Sequence, residues 1–131
     1  MPLVARLNSG VWSLRMTFNE IETQRIKNEV GEFIERRRPP PHIRAQLDLR
    51  FRLTGQSIEI FEVRPTWRGA SGETTEHGVA KATYVRARDL WEIYWLRADL
   101  KWHSYPPAPQ VGSVAKFLAL VQEDKHNCFF G

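Results

Sequence analysis

Between Ile43 and Leu53 the chain alternates apolar and polar residues without a break, and this run constrains the fold more than any other stretch. Ile43, Ala45, Leu47, Leu49, Phe51 and Leu53 fall on one side, while Arg44, Gln46, Asp48, Arg50 and Arg52 fall on the other. Successive side chains of a strand point to opposite faces, so a period of two predicts a strand buried on one face and wet on the other. Thr54, Gly55, Gln56 and Ser57 then make a tight turn with glycine at the first central position, where positive φ carries no steric penalty. The chain therefore returns antiparallel over Ser57 to Arg64. Counting back from the turn pairs Leu53 with Ile58, Arg52 with Glu59, Phe51 with Ile60 and Leu49 with Glu62. That register sends Glu62 toward the apolar face. A lone hairpin is marginal in water, so the rest of the chain must add strands and a cover.

Both are legible. Residues 1–15 read as an extension without a sustained period, and a single domain is expected over 16–131. Thr17 and Glu20 have capping-box spacing, with Asn19 as the competing cap and Phe18 beside it. Ile21, Ile26, Val30, Phe33 and Ile34 mark one helical stripe, which Pro39, Pro40 and Pro41 stop. Pro65 ends the second strand, and Thr66 to His77 reads as a polar loop. A turn at Arg88 and Asp89 would join Val79–Ala87 to Leu90–Arg97, setting Ala80, Ala82 and Tyr84 on one face with Trp91, Ile93 and Trp95. Leu100 to Tyr105 is expected as a short last strand. Ser113 then caps a helix striped by Val114, Phe117, Leu118 and Val121. The predicted fold is α+β: a five-stranded antiparallel sheet with an N-terminal and a C-terminal helix packed on one face. The other face stays wet, and function is expected there.

No apolar run approaches the roughly 20 residues of a membrane span, and residues 1–15 lack a signal-peptide core. The single cysteine, Cys128, excludes an intrachain disulfide framework and fits a cytoplasmic setting. Net charge is only +4, but arginine supplies 14 of the 19 basic residues. Its planar fork pairs with carboxylate or phosphate. Arg36, Arg37, Arg38, Arg44, Arg50 and Arg52 form the most basic stretch, opposed by Asp48 alone. Alternate strand residues lie about 6.6 Å apart, so Arg50 and Arg52 could each meet a phosphate while Arg36 to Arg38 extend the track. The competing reading is a solvated face with cross-strand pairs such as Arg52 with Glu59.

Other chemistry is thinner. Asp48 and Glu62, with Arg64 or Lys81 as the cation, have the spacing of a Mg²⁺-dependent nuclease, but the register sets the two carboxylates on opposite faces unless a bulge falls near Phe61. Glu62 needs a partner on its apolar face, from Arg64, Arg97 or an indole N–H. Trp91, Trp95 and Trp102, with Arg86 opposite Trp91, suggest an aromatic cage, although core packing is the commoner use. His42, His77, His103 and His126 have no metal-ligand spacing. The terminal Cys128, Phe129, Phe130 and Gly131 are expected to dock, because two exposed phenylalanines would invite aggregation.

FIERRRPPPHIRAQLDL (33–49), GQSIEIFEVRP (55–65), AKATYV (80–85), WEIYWLRADLKWHSYPP (91–107) and the terminal CFFG resemble the small bacterial proteins grouped as domain of unknown function 3024. The resemblance runs from Met16 to Gly131 and implies a bacterial, cytoplasmic domain, with no activity, cofactor or catalytic residue to carry over. The functional expectation is thus a non-enzymatic module without a cofactor that binds DNA or RNA through the arginine face. The alternatives are a protein-interaction adaptor, using the wet face or the Thr66 to His77 loop, and the Asp48/Glu62 nuclease.

Overall fold

The structure, a computed structural model, describes residues 18–66 and 72–130; the expected extension at 1–15 and Thr17 lie outside them. Helix α1 spans Glu20–Arg37 and starts at Asn19, whose side chain accepts the Glu22 N–H at 2.8 Å while Glu22 accepts the Asn19 N–H at 3.0 Å. Two orphan donors are satisfied reciprocally, so the competing cap is the one used. Ile26, Val30, Phe33 and Ile34 are buried, but Ile21 is 72% exposed. Five residues before Ile26, it lies about 140° around the helix from it, off the stripe.

The first strand is shorter than its alternation implied. Residues 41–46 turn instead: Ile43 N–H donates to the Pro40 carbonyl (2.9 Å), and Gln46 and Leu47 donate back to the Ile43 carbonyl (2.8 and 3.0 Å). The prolines bring carbonyls but no donors, so the following amides close locally rather than pair across a sheet. Strand β1 is Asp48–Thr54 and β2 is Ser57–Pro65, in the register counted from the turn, with Gly55 at φ +59.

Strand β3 runs Thr74–Val85, so the end of the expected loop, Thr74 to His77, is strand and pairs with Glu62–Pro65. Register shifts between Ile60 and Phe61: Ile60 faces Ala80 but Phe61 faces Gly78, leaving Val79 as the extra residue. Strand β4 is Leu90–Leu96. Its turn is not at Arg88 and Asp89 alone. A 3₁₀ turn at Arg86–Arg88 and Asp89 at φ +49 put Tyr84, not Arg86, opposite Trp91. The slip is two residues, so the face of every side chain survives. Strand β5 is only Trp102–Ser104, because Leu100 at φ +62 lies in the preceding turn. The order is β1-β2-β3-β4-β5, and a further two-residue segment, β6 (Gln110–Val111), also pairs with β4.

Helix α2, Val114–Glu123, is capped by Ser113 and buries Val114, Phe117, Leu118 and Val121 as expected. Both helices cover one sheet face, where Leu49, Ile58, Ile60, Ala80, Ala82 and Ile93 join their buried stripes in one core. The tail docks on this side. Phe129 is buried with its ring 4.8 Å from Tyr105, and the Phe129 and Phe130 amides donate to the Asp124 carboxylate at 3.0 and 2.9 Å. Gly131 lies outside the described residues.

Candidate functional site

Four of the six arginines are already engaged within the fold. Arg38 grips Asp48 with both prongs of its guanidinium (Nε to Oδ1 and Nη2 to Oδ2, each 2.9 Å) and reaches Glu35 at 3.0 Å. Arg37 donates to the Gln122 carbonyl at 3.4 Å and lies over the Phe130 ring at 4.2 Å, on the helix side. Arg44 donates to the Pro39 carbonyl at 2.9 Å. Arg52 meets Glu59 (2.8 Å) and Glu76 (2.7 Å), so the cross-strand pair exists and a second carboxylate joins it. Arg36 and Arg50 are exposed and have no charged partner among the described residues.

The open face, opposite the helices, has a centre that the arginine pattern did not point to. Phe61 is buried although it belongs to no part of the main core, and the Arg52 guanidinium lies 4.3 Å above its ring. Its cross-strand neighbour Gly78 leaves room for Trp102: a Cβ there would come within 2.8 Å of the indole and 3.3 Å of Leu96. Only glycine allows that approach. Leu96 pairs with Trp102 and Tyr94 with Lys81, whose Nζ lies 5.9 Å from both the Tyr94 and Trp102 rings. The result is a partly exposed aromatic and aliphatic patch. Around it stand charges of both signs: Arg52 is paired with Glu59 and Glu76, Glu92 accepts the Tyr94 hydroxyl at 3.1 Å, and Arg50 has no charged partner among the described residues. Phe61 was legible as an open-face residue, since it alternates with Ile60. Trp102 was not, because its face depends on the turn at Leu100.

The remaining candidates separate. The bulge does fall beside Phe61, but in β3, so the β1–β2 register stays straight and Asp48 remains opposite Val63 while Glu62 faces Leu49. The two carboxylates therefore point to opposite faces, with Lys81 two strands from Asp48. Among the described residues no three of His, Cys, Asp and Glu come close enough to hold a metal ion together. Glu62 has one of its expected partners, Arg64, at 3.2 Å. It lines a cleft of about 570 Å³ with His77, Trp95, Arg97 and the tail. Trp91 and Trp95 belong to the helix side and Trp102 to the open face, so no cage of three forms. Arg86 lies 5.4 Å from the Tyr84 ring and pairs with Glu22.

Electrostatics follow the pairing. Arg38 holds the Asp48 carboxyl below its usual range, against the opposing effect of burial. Arg86, with the Asn19 amide, does the same for Glu22. Burial, helped by Asp124, pushes the Cys128 thiol up, which makes it a poor nucleophile. Tyr94 is raised by burial and by its bond to Glu92. No described helix is long and apolar enough to cross a membrane.

No curated protein and no solved structure matches this chain. A family model described as domain of unknown function (DUF3024) matches residues 18–131, a span that takes in every helix and strand described above. The chain belongs to the DUF3024 family.

Proposed function

We propose that this domain is a non-catalytic binding module of the bacterial cytoplasm whose open sheet face docks a protein partner. The observation that carries the reading is the make-up of that face: Phe61, Tyr94, Leu96 and Trp102 at the centre, within a polar rim of both signs where Arg52 is already held by Glu59 and Glu76. Protein interfaces have this anatomy, an aromatic-rich centre inside a polar rim. A polyanion site needs surplus cations, because each neutralised phosphate releases counterions and drives binding.

The nucleic-acid reading keeps one specific support. Lys81 between the Tyr94 and Trp102 rings resembles a stacking platform for single-stranded bases, with Arg50 nearby on β1. One pair of experiments separates the readings. Immobilised domain in nuclease-treated host extract should retain a protein that rebinds when purified, that Trp102→Glu loses, and that Arg36→Ala with Arg50→Ala keeps. Titration with labelled single- and double-stranded DNA and RNA should show no specific binding. Tight binding that falls steeply with salt and disappears in Arg50→Ala with Lys81→Ala would reverse the choice.

A further inference from the structure

The helix-covered face of the sheet changes character at one end. Ile58, Ile60, Ala80, Ala82 and Ile93 are wholly buried. The next residues on the same side of their strands are Glu62 and Arg64 on β2, His77 and Thr75 opposite them on β3, and Trp95 on β4. A helix laid on these polar groups would strip them of water. The facing wall is instead the tail, residues 127–130, and between tail and sheet lies the cleft of about 570 Å³. Its size falls in the range of small-molecule sites, about 300–1,000 Å³.

The walls are held in place. The Asp124 carboxylate accepts the Phe129 and Phe130 amides, and the Phe129 ring packs on Tyr105, so the tail is anchored. After β4 the Arg97 N–H donates to the Lys101 carbonyl at 3.1 Å, and the Arg97 carbonyl accepts the Leu100 N–H at 2.8 Å. From that turn the Arg97 guanidinium lies 5.5 Å from the centre of the Trp95 ring.

The charges in the cleft do not balance. Glu62 is the one carboxylate in the lining among the described residues, and Arg64 already meets it at 3.2 Å. Asp99, in the turn with Arg97, is engaged by His103 at 2.8 Å and by the Lys101 N–H at 3.0 Å. Arg97 has no carboxylate partner among the described residues. Two guanidiniums against one carboxylate thus leave a single positive charge, set beside the aromatic surface of Trp95 and the tail phenylalanines.

We propose that this cleft binds a small aromatic monocarboxylate. Its carboxylate pairs with Arg97, whose planar fork matches two carboxylate oxygens, and takes a spare donor from Arg64. Its ring lies against Trp95 and the tail phenylalanines, in the offset or edge-on contacts that aromatic pairs prefer. One net positive charge suits a monoanion, whereas the second charge of a phosphate would face Glu62 without compensation. The cleft and Trp102 are on opposite sides of the sheet, so the inference stands independently of what docks on the open face.

The test uses the whole chain and three probes built on one ring system: indole-3-acetate, neutral indole and cationic tryptamine. Calorimetric titration should give indole-3-acetate a Kd at least about tenfold below those of the other two. In the NMR spectrum of the isotope-labelled protein it should shift the Glu62, His77 and Arg97 amides and the Trp95 indole. Arg97→Gln should weaken it about tenfold. Glu62→Gln should tighten it severalfold, because Arg64 is released from its rival carboxylate, and a damaged fold cannot give tighter binding. Arg36→Ala, an arginine outside the cleft, should bind as wild type. Absence of binding by every probe, equal binding of tryptamine, wild-type affinity in Arg97→Gln, or unchanged or weaker binding in Glu62→Gln would overturn the proposal. So would tighter binding of phenyl phosphate than of indole-3-acetate.

Discussion

On the helix-covered face of the sheet, Ile58, Ile60, Ala80, Ala82 and Ile93 are wholly buried; on the open face of the same strands stand Glu59, Phe61, Lys81, Tyr94 and Trp102. The covered face is uniform and apolar, and small alanines of β3 lie between larger neighbours on β2 and β4. The open face is mixed, with a cluster whose closest approach, Trp102 over Gly78, depends on a residue without a side chain. A merely solvated face would need no such fit. The difference teaches that wetness and idleness are separate properties of a sheet face, and that counting arginines measures neither. Arg38 and Arg52, the most engaged of the six, hold the fold's own carboxylates.

If the covered face carries stability and the open face carries binding, substitutions should divide along that line. Phe117→Ala, on α2 and fully buried in the core beneath the covered face, should lower unfolding free energy by about 3–5 kcal/mol in a denaturant titration. Phe129→Ala should cost less, about 2–3 kcal/mol, because the tail that carries it can relax once the Tyr105 contact is gone. A Phe129→Ala chain as stable as wild type would place the tail outside the core.

The edge of the open face should show its contribution through pH. Asp48→Asn removes a charge that two Arg38 bonds hold, and should cost about 2 kcal/mol at pH 7. Because the folded Asp48 carboxyl lies below its unfolded value, its contribution is complete above about pH 4 and is lost as pH falls through the folded value. The gap between wild type and Asp48→Asn should therefore narrow on acidification, and a constant gap between pH 7 and 2 would refute the pairing. Gly78→Ala should cost about 1–2 kcal/mol, since the indole must move away from the new methyl, and a shift in tryptophan emission should accompany it. Arg50→Ala, exposed and without a charged partner among the described residues, should change stability by less than about 0.5 kcal/mol.

Much of this comparison was written in the residue order. The register of β1 on β2 followed from one glycine turn, and the α2 stripe from a period of 3.6 behind Ser113. Three features were hidden for physical reasons. Alternation from Ile43 to Leu47 could not reveal a turn, because proline carbonyls upstream capture amides that would otherwise pair across a sheet. The Val79 bulge leaves no composition signal, and the positive φ of Leu100 is a tertiary outcome in a residue that ordinarily avoids it. The candidate site was less legible still. Sequence weighs arginines by their spacing, whereas their availability depends on which carboxylates fold beside them, as Glu76 does for Arg52 across 24 residues.

The most direct measurement is the amide and indole NMR spectrum of the labelled domain in host extract after exhaustive nuclease digestion. The account predicts broadening or shifts concentrated at Phe61, Lys81, Tyr94, Leu96 and the Trp102 indole, with Phe117 and Val121 on the covered side unaffected. An open face that stays unperturbed there, but responds when intact nucleic acid is restored, would contradict it.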